Sequence, residues 1–413
     1  MSAEELERNP LRGSMHILLQ LNSGWVIDLV KGTFVSGPLD GVKIIELAGI
    51  GPGPFACMLL ADMGADILRL ERGDLNAKPL PTGDVLARSR PSVAVDLKST
   101  SGIELVLDLC VQADILVEGF RPGVVERLGI GPEEVWKRNK GLVYGRMTGY
   151  GQQGPLSERA GHDINYIAVS GALWPIGLYG ESPIPPLNLV GDFGGGGLFL
   201  AMGVIAALLS ARTTGKGQIV DASMVDGSAS LMSMTHSLLN QGRWVEERGV
   251  NFLDSGAHFY NVYETSDGKY VAVGAIEPKF YKELLTNLAL LEVELPDQLD
   301  STQWPAMKER FKRIFLSKTR DEWTNLFGEL DACVTPVLTP REAAHHRYNS
   351  ERNVFVTHGD IQPMPAPRFS GTPSVIRGAA MAPGSGTVKG LTSWGIDEDQ
   401  IRKLRDSGAF GSN

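Results

Sequence analysis

An α/β chain, with a large parallel-sheet domain and a smaller α+β domain, is the architecture the sequence predicts, and three observations carry it. Apolar strand-like runs alternate with helix-like runs at βαβ spacing in the first part of the chain. A hairpin signal built on an Asp-Gly turn appears only after His258. A length of 413 residues exceeds what one ordinary core encloses, so two or three lobes are expected.

Residues 1–37 stand apart, with a short acidic helix-like pattern and a loosely apolar stretch ending at Ser36-Gly37-Pro38. They read as an unassigned extension, either a tail or a surface-docked arm. From Leu39 the pattern is regular. Val42-Lys-Ile-Ile-Glu-Leu-Ala48 predicts a buried strand, Gly49-Ile-Gly-Pro-Gly-Pro54 its loop, and residues 55–63 a helix. Strands follow at 66–71, 114–118 and 141–146, with helices at 101–111 and 132–138 between them. Their nearly continuous apolar character is that of parallel strands covered on both faces, a Rossmann-like arrangement. Thr214-Gly-Lys-Gly217 predicts a tight turn, and residues 218–224 open a long helical passage. The hairpin pairs residues 259–265 with 269–273 across Ser266-Asp-Gly268, and helices follow to about Phe327. Residues 362–388, rich in Pro, Gly and Ala, read as an extended return strap before a capped amphipathic helix over 394–405. The expected organisation is therefore an extension (1–37), a large domain (38–225), linker helices with the small α+β domain (226–345), and a returning strap and helix (346–413).

Lys and Arg number 39 against 48 Asp and Glu, a net charge of −9, so no basic footprint for nucleic acid or an anionic membrane is present. The longest apolar candidate, residues 197–209, falls short of the roughly 20 residues of a membrane span. Neither a nucleic-acid nor a membrane partner is expected. The three cysteines are scattered and odd in number, which argues against a disulfide framework or thiolate cluster, and Cys57 and Cys110 read as buried hydrophobes. The acidic start is unlike a secretory or transit peptide, and Gly411-Ser412-Asn413 does not match the peroxisomal S-K-L address. A soluble cytoplasmic protein is the default; mitochondria or peroxisomes are the eukaryotic alternatives.

The first strand–loop–helix invites a dinucleotide site, because Glu71 lies 22 residues beyond Gly49. The fingerprint fails at Pro54, where its third glycine belongs, and Pro52 and Pro54 remove N–H donors. Arg72 directly after Glu71 suits a sugar phosphate better than NAD. Three apolar contexts each hold isolated charged residues: Ala160-Gly-His162-Asp163-Ile-Asn165-Tyr166, Leu187-Asn-Leu-Val-Gly-Asp192-Phe-Gly-Gly-Gly-Gly197 and Val273-Gly-Ala-Ile-Glu277-Pro278. Singly they have ordinary readings: a satisfied core histidine, a helix N-cap and a first-turn acid.

In this order the three stretches resemble the α-methylacyl-CoA racemases of the class III CoA-transferase family. Further matching stretches are Glu46-Leu-Ala-Gly-Ile-Gly-Pro-Gly-Pro54, Met147-Thr-Gly-Tyr-Gly-Gln152, Thr214-Gly-Lys-Gly-Gln218 and Asp331-Ala-Cys-Val-Thr-Pro-Val337, so the likeness runs from about Leu39 to Phe369. The resemblance implies an isomerase that epimerises the 2-methyl centre of acyl-CoA thioesters without metal or redox cofactor, coenzyme A being part of the substrate. It implies His162 and Asp192 on opposite faces of the α-carbon. Glu277 would support the histidine from the small domain of a second chain in an interlocked homodimer. Arg72, Lys98 within Val95-Asp96-Leu97-Lys98, and Arg121 match positions that hold the adenosine and phosphates of CoA. Gly161, Asp163, Asn165 and Tyr166 complete the expected substrate contacts, and Arg88 or Arg90 would assist.

The residue types suit that chemistry. A thioester α-proton is weakly acidic, so its removal needs a placed base and stabilisation of the enolate oxygen. Running in both directions requires each group to act as acid and as base. Imidazole does so near neutrality, and a carboxyl group does so if burial raises its pKa. The helix opening at His162-Asp163 is the candidate for the enolate oxygen, and the run Gly194–Gly197 is expected to let backbone approach the acyl chain. Met202, Met224, Met232 and Met234 read either as an adaptable acyl surface or as core. Ser255-Gly-Ala-His258-Phe departs from the usual pattern of the family and places His258 near the mouth of the site. The rival is a CoA-transferase in which Asp163 attacks the acyl-CoA as nucleophile. His162 before Asp163, with Asp192 thirty residues on, favours the racemase arrangement.

Overall fold

A computed structural model describes residues 37–78, 81–290 and 294–411, together with three short strands nearer the start. Those strands, β1 (Leu18–Gln20), β2 (Val26–Asp28) and β3 (Thr33–Val35), form an antiparallel meander in which Leu19 faces Ile27 and Ile27 faces Phe34. The acidic stretch expected as a helix lies outside the described residues.

The chain divides into two compact units. The first joins residues 1–148, 197–222 and 356–413 around a six-stranded sheet. Its strands are β4 (Lys43–Leu47), β5 (Asp66–Glu71), β6 (Ser92–Ala94), β7 (Ile115–Glu118), β8 (Val143–Thr148) and β9 (Ile219–Ser223), in the order β6-β5-β4-β7-β8-β9. β4 pairs in parallel with both β5 and β7, with Ile44 level with Ile67 and Ile115. The β5–β6 and β7–β8 pairings are also parallel. Helices α1 (Pro52–Asp62), α2 (Thr100–Cys110), α3 (Val124–Leu128) and α4 (Pro132–Arg138) form the crossovers. Pro52 opens α1, where a missing N–H is harmless, and the Ser99 side chain caps α2 by accepting from Gly102. All of β8 is buried, as the apolar strand runs predict. The returning strap ends in α14 (Thr387–Ser393) and α15 (Glu398–Asp406); Trp394 just after α14, Ile401 within α15 and Phe410 beyond it join the sheet core. Asp397 and Gln400 close a reciprocal cap at the start of α15.

Two sequence readings are corrected here. Ile219–Ser223 is the edge strand β9, not the start of a helix. Residues 149–196 cluster with 223–355 and not with the sheet to which residues 38–225 were assigned as a block. The turn at Gly215 is as expected, with φ 71° ending helix α6 (Phe199–Thr214). A helical run over Leu189–Thr214 is long and apolar enough, at 26 residues, to cross a membrane by length and composition alone, where the sequence reading saw no stretch approaching that length. It is continuous because the segment before the glycines is helical as well.

The second unit holds α5 (Asp163–Val169), α7 (Met224–Leu231), α8 (Ser233–Asn240) and an α+β subdomain. Strands β10 (Tyr260–Glu264) and β11 (Tyr270–Gly274) form the expected hairpin, turned at Gly268 with φ 69°. A third strand, β12 (Val334–Pro336), pairs antiparallel with β11. Helices α9 (Pro278–Asn287), α10 (Trp304–Phe315) and α11 (Arg320–Phe327) cover the sheet, and α12 (Pro340–His345) and α13 (Arg347–Glu351) follow; the ribbon β13 (Phe355–His358) with β14 (Asp360–Pro363) begins the return to the first unit. Its core is aromatic: Trp323 stacks on Phe327 at 5.9 Å between centroids and Tyr263 on Phe315 at 5.0 Å.

Candidate active site

His162 is the N-cap of α5, with extended backbone (φ −133°, ψ 175°) and an exposed side chain. The turn that presents it is built by residues expected to touch substrate. Asn165 Oδ1 accepts the His162 N–H at 3.0 Å, and the Asn165 N–H returns to the His162 carbonyl at 2.8 Å. Tyr166 is buried, donates its hydroxyl to the Gly161 carbonyl and meets Tyr150 edge to face at 5.0 Å. A Cβ on Gly161 would lie 2.7 Å from the Tyr166 ring, so only glycine admits this closure. Asp163 is 6% exposed, and its Oδ2 accepts the N–H of Asp192 at 2.7 Å.

Asp192 lies in a widened helical segment, Leu189–Leu198, with π-type bonding that continues into α6. The Phe193 N–H reaches back five residues to the Asn188 carbonyl at 3.3 Å. Asn188 also donates from Nδ2 to Asp192 Oδ2 at 3.1 Å. Burial pushes the Asp192 carboxyl above the usual carboxylate range; the nearby Asp163 charge adds to this, while the Asn188 hydrogen bond and His162 oppose it. A group held up in this way exchanges protons nearer neutrality than a solvated carboxylate does.

Other expected residues fall elsewhere. Glu277 is the exposed N-cap of α9 and makes no hydrogen bond or ion pair with His162 among the described residues. Arg72, Lys98 and Arg121 are exposed, without an ion-pair partner among the described residues, and follow the carboxyl ends of β5, β6 and β7. That edge is where open parallel sheets bind ligands. The side chains of Val95 and Leu97 turn into the sheet core, and Asp96 caps its own turn by accepting the Lys98 N–H at 2.9 Å.

Three expectations are corrected, and one left open is divided. Arg88 and Arg90 are buried and structural: Arg88 grips Asp62 at 2.5 Å, and Arg90 pairs with Glu46 at 3.2 Å and donates to the Pro54 carbonyl at 2.9 Å. The glycines after Asp192 admit protein rather than ligand. A Cβ on Gly195 would lie 2.7 Å from Ser228 in α7, and one on Gly197 would lie 2.7 Å from Phe55. His258 sits in the aromatic core of the α+β subdomain, 1% exposed, with Nε2 2.7 Å from the Tyr281 hydroxyl. The methionines divide: Met224 is buried, whereas Met202 and Met234 are exposed. Asn188 was missed as a functional candidate. It stands four residues before Asp192 in the quoted motif, but an Asn before a helix reads first as a capping residue. Among the described residues no group of three His, Cys, Asp or Glu side chains is placed to hold a metal ion.

Residues 39–387 match CoA-transferase family III. The chain belongs to this family. Two relatives are named alpha-methylacyl-CoA racemase: the mouse protein is 47% identical over 89% of this chain and 96% of its own length, and the human protein 44% over 91% and 98%. Among solved structures, a CAIB/BAIF family protein from Brucella suis superposes with a TM-score of 0.75 at 21% identity, covering 87% of this chain and 100% of its own, a likeness of fold. In this chain an exposed histidine turn is tied to a half-buried carboxyl group through Asp163.

Proposed function

We propose that the chain interconverts (2R)- and (2S)-2-methylacyl-CoA thioesters, with His162 and Asp192 as its two acid–base groups. The observation that carries this reading is Asp192: half-buried, raised in pKa, without a cation paired to it among the described residues, and influenced by His162. In one direction the His162 imidazole takes the C2 proton. The C–H electron pair becomes the C1–C2 double bond, and the thioester oxygen becomes an enolate. Protonated Asp192 then delivers a proton to the other face of C2, and the carbonyl re-forms. Solvent exchange resets His162 and Asp192, and the reverse reaction exchanges their roles. Both electrons stay with carbon throughout, so the reaction as written draws on no redox cofactor or metal. The Asp163 and Ile164 N–H groups, which make no hydrogen bond within the chain among the described residues, are the donors left at this turn for the enolate oxygen.

Arg72, Lys98 and Arg121 take the phosphates of CoA, as exposed cations at the carboxyl edge of a parallel sheet suit anions. Glu277 is supplied to His162 by a second copy of the chain, and the homodimer this requires covers apolar side chains such as Trp174, Tyr179 and Leu187, which are 55%, 63% and 75% exposed in the single chain. Chains carrying His162→Ala and Glu277→Ala, co-expressed, then regain activity that neither homodimer has. The buried, hydrogen-bonded state of Asp163 counts against the transferase alternative, in which it must attack substrate. A 2-methyl-branched acyl-CoA substrate would give the protein a place in lipid metabolism.

The deciding experiment incubates a 2-methylacyl-CoA in heavy water with no acceptor acid and follows C2 deuteration with chiral analysis. Deuterium uptake with racemisation is expected. Transfer of CoA to an added carboxylate without exchange at C2 would overturn the reading.

A further inference from the structure

The short bond between Asp163 and the Asp192 peptide has no role in the proton transfer as written above. Asp163 lies next to His162 in the chain, yet its carboxylate spans 29 residues to accept the Asp192 N–H at 2.7 Å. The fit around it is close: a Cβ on Gly191 would lie 2.6 Å from Asp163 Oδ2 and 3.1 Å from the Ile167 side chain. In an α-helix the Asp192 N–H would bond to the Asn188 carbonyl, but here that carbonyl takes the Phe193 N–H instead. The extra residue in the turn is thus accommodated because Asp163 receives the displaced donor. At the other end of the residue, Asn188 Nδ2 holds the Asp192 carboxylate at 3.1 Å. Asp163 Oδ1 is buried and makes no hydrogen bond, so the negative charge has only one donor and lies close to the carboxyl group it anchors.

We propose that Asp163 is a positioning residue for the racemisation: its buried carboxylate fixes the Asp192 peptide, and with it the placement of the Asp192 carboxyl relative to His162, while Asn188 fixes the carboxyl itself. This rests on the racemase reading of the site. The titratable and polar groups facing Asp192 act in known directions. Asp163 disfavours its ionised form, whereas Asn188 and His162 favour it. Asp163 therefore both aligns the catalytic acid and helps keep it protonated, and Asn188 moderates the second effect.

The test uses the full-length enzyme, C2 deuterium exchange with 2-methylacyl-CoA across a pH series, and thermal unfolding of each variant. Asp163→Ala, losing the anchor, lowers kcat about 10- to 100-fold with KM within about 2-fold, as a misplacement of order 1 Å in a reacting group does. Asp163→Asn keeps an acceptor oxygen but removes the charge, so kcat falls less and the limb of the kcat profile that Asp192 sets moves to lower pH. Asn188→Leu removes the opposing hydrogen bond and moves that limb to higher pH. Opposite displacements by the two variants are not produced by a residue that merely supports the fold. Unchanged kcat and an unchanged limb in Asp163→Asn would overturn the proposal. So would abolished exchange in Asp163→Asn together with hydroxylamine trapping of an acyl-Asp163 in the native enzyme, which would make Asp163 a nucleophile. His162→Ala and Asp192→Ala serve as controls for the underlying reading: if they racemise normally, that reading fails whatever the Asp163 variants do.

Discussion

Buried acids are treated in opposite ways in the two units. In the sheet unit Asp62, Glu46 and Glu118 are 1%, 1% and 2% exposed, and each faces a guanidinium: Arg88 at 2.5 Å, Arg90 at 3.2 Å and Arg146 at 3.7 Å. In the segment from Gly149 to Gly196, Asp163 and Asp192 have neither Arg nor Lys paired with them among the described residues; a backbone N–H and one amide serve instead. A buried acid that faces an arginine is tied to a distant element, although burial raises its pKa as it raises that of Asp192. Asp192, held by a neutral amide and raised by burial, keeps a proton equilibrium that chemistry can use. The first arrangement belongs to architecture and the second to turnover.

The largest effects should divide along that line. Asp192→Ala or His162→Ala is expected to slow C2 exchange by roughly 10² to 10⁴, with the thermal midpoint little changed. Arg88→Ala should do the reverse. It leaves the Asp62 carboxylate buried with its two guanidinium hydrogen bonds gone, at a cost of about 3–5 kcal/mol in stability, while the rate per folded molecule is kept. Denaturant unfolding and exchange kinetics on the same preparations separate the two outcomes. If Asp192→Ala unfolds as readily as Arg88→Ala, the division between clamped and free acids is wrong.

Most of the sheet could be read in advance because its strands are continuous apolar runs; helix starts were less exact, since Pro52 opens a helix expected from residue 55 and Asp397 caps one expected from residue 394. The histidine turn and Asp192 were legible as motifs. What was not legible depended on partners remote in sequence. Arg88 and Arg90 sit in a loop where long basic side chains are normally solvated; nothing local shows that Asp62 and Glu46 lie beneath them. Residues 219–223 are too few to distinguish a strand from the first turn of the helix that follows. The glycine run reads the same whether a ligand or another helix approaches it; α7 is what approaches Gly195. His258 was taken for a pocket residue because its neighbours gave no sign that Phe259, Tyr281 and Phe311 would enclose it.

His258 extends the comparison to a buried base. Burial, aided by Lys308, lowers its pKa from 6.5 to about 4, so the native state favours neutral imidazole. A depressed histidine contributes stability that is present above about pH 6.5 and is lost as the pH falls through about 4. At 1.36 kcal/mol per unit the limit is about 3 kcal/mol. The native chain should therefore lose stability between pH 6.5 and 4 more steeply than His258→Gln, which keeps a polar group opposite the Tyr281 hydroxyl. Equal slopes in urea unfolding would mean that His258 is charged in the fold.

The smallest effect tests whether a guanidinium always clamps the acid it faces. Glu118 accepts the Phe120 N–H at 2.7 Å, and its Arg146 neighbour, which also pairs with Glu126, lies at 3.7 Å. Burial outweighs both donors and raises Glu118 from 4.5 to about 7. A carboxyl raised in the fold contributes stability that is present below about 4.5 and is lost as the pH climbs through about 7. Glu118→Gln retains the acceptor for Phe120 and cannot ionise, so at pH 8 it should be more stable than the native chain by about 1 kcal/mol, the gain from removing a buried charge being offset in part by the lost attraction to Arg146. At pH 5 the difference should vanish. If the native chain instead gains stability over the variant from pH 5 to 8, Arg146 holds Glu118 ionised at 3.7 Å, and the contrast between the units reduces to whether any guanidinium is near, not how closely it binds.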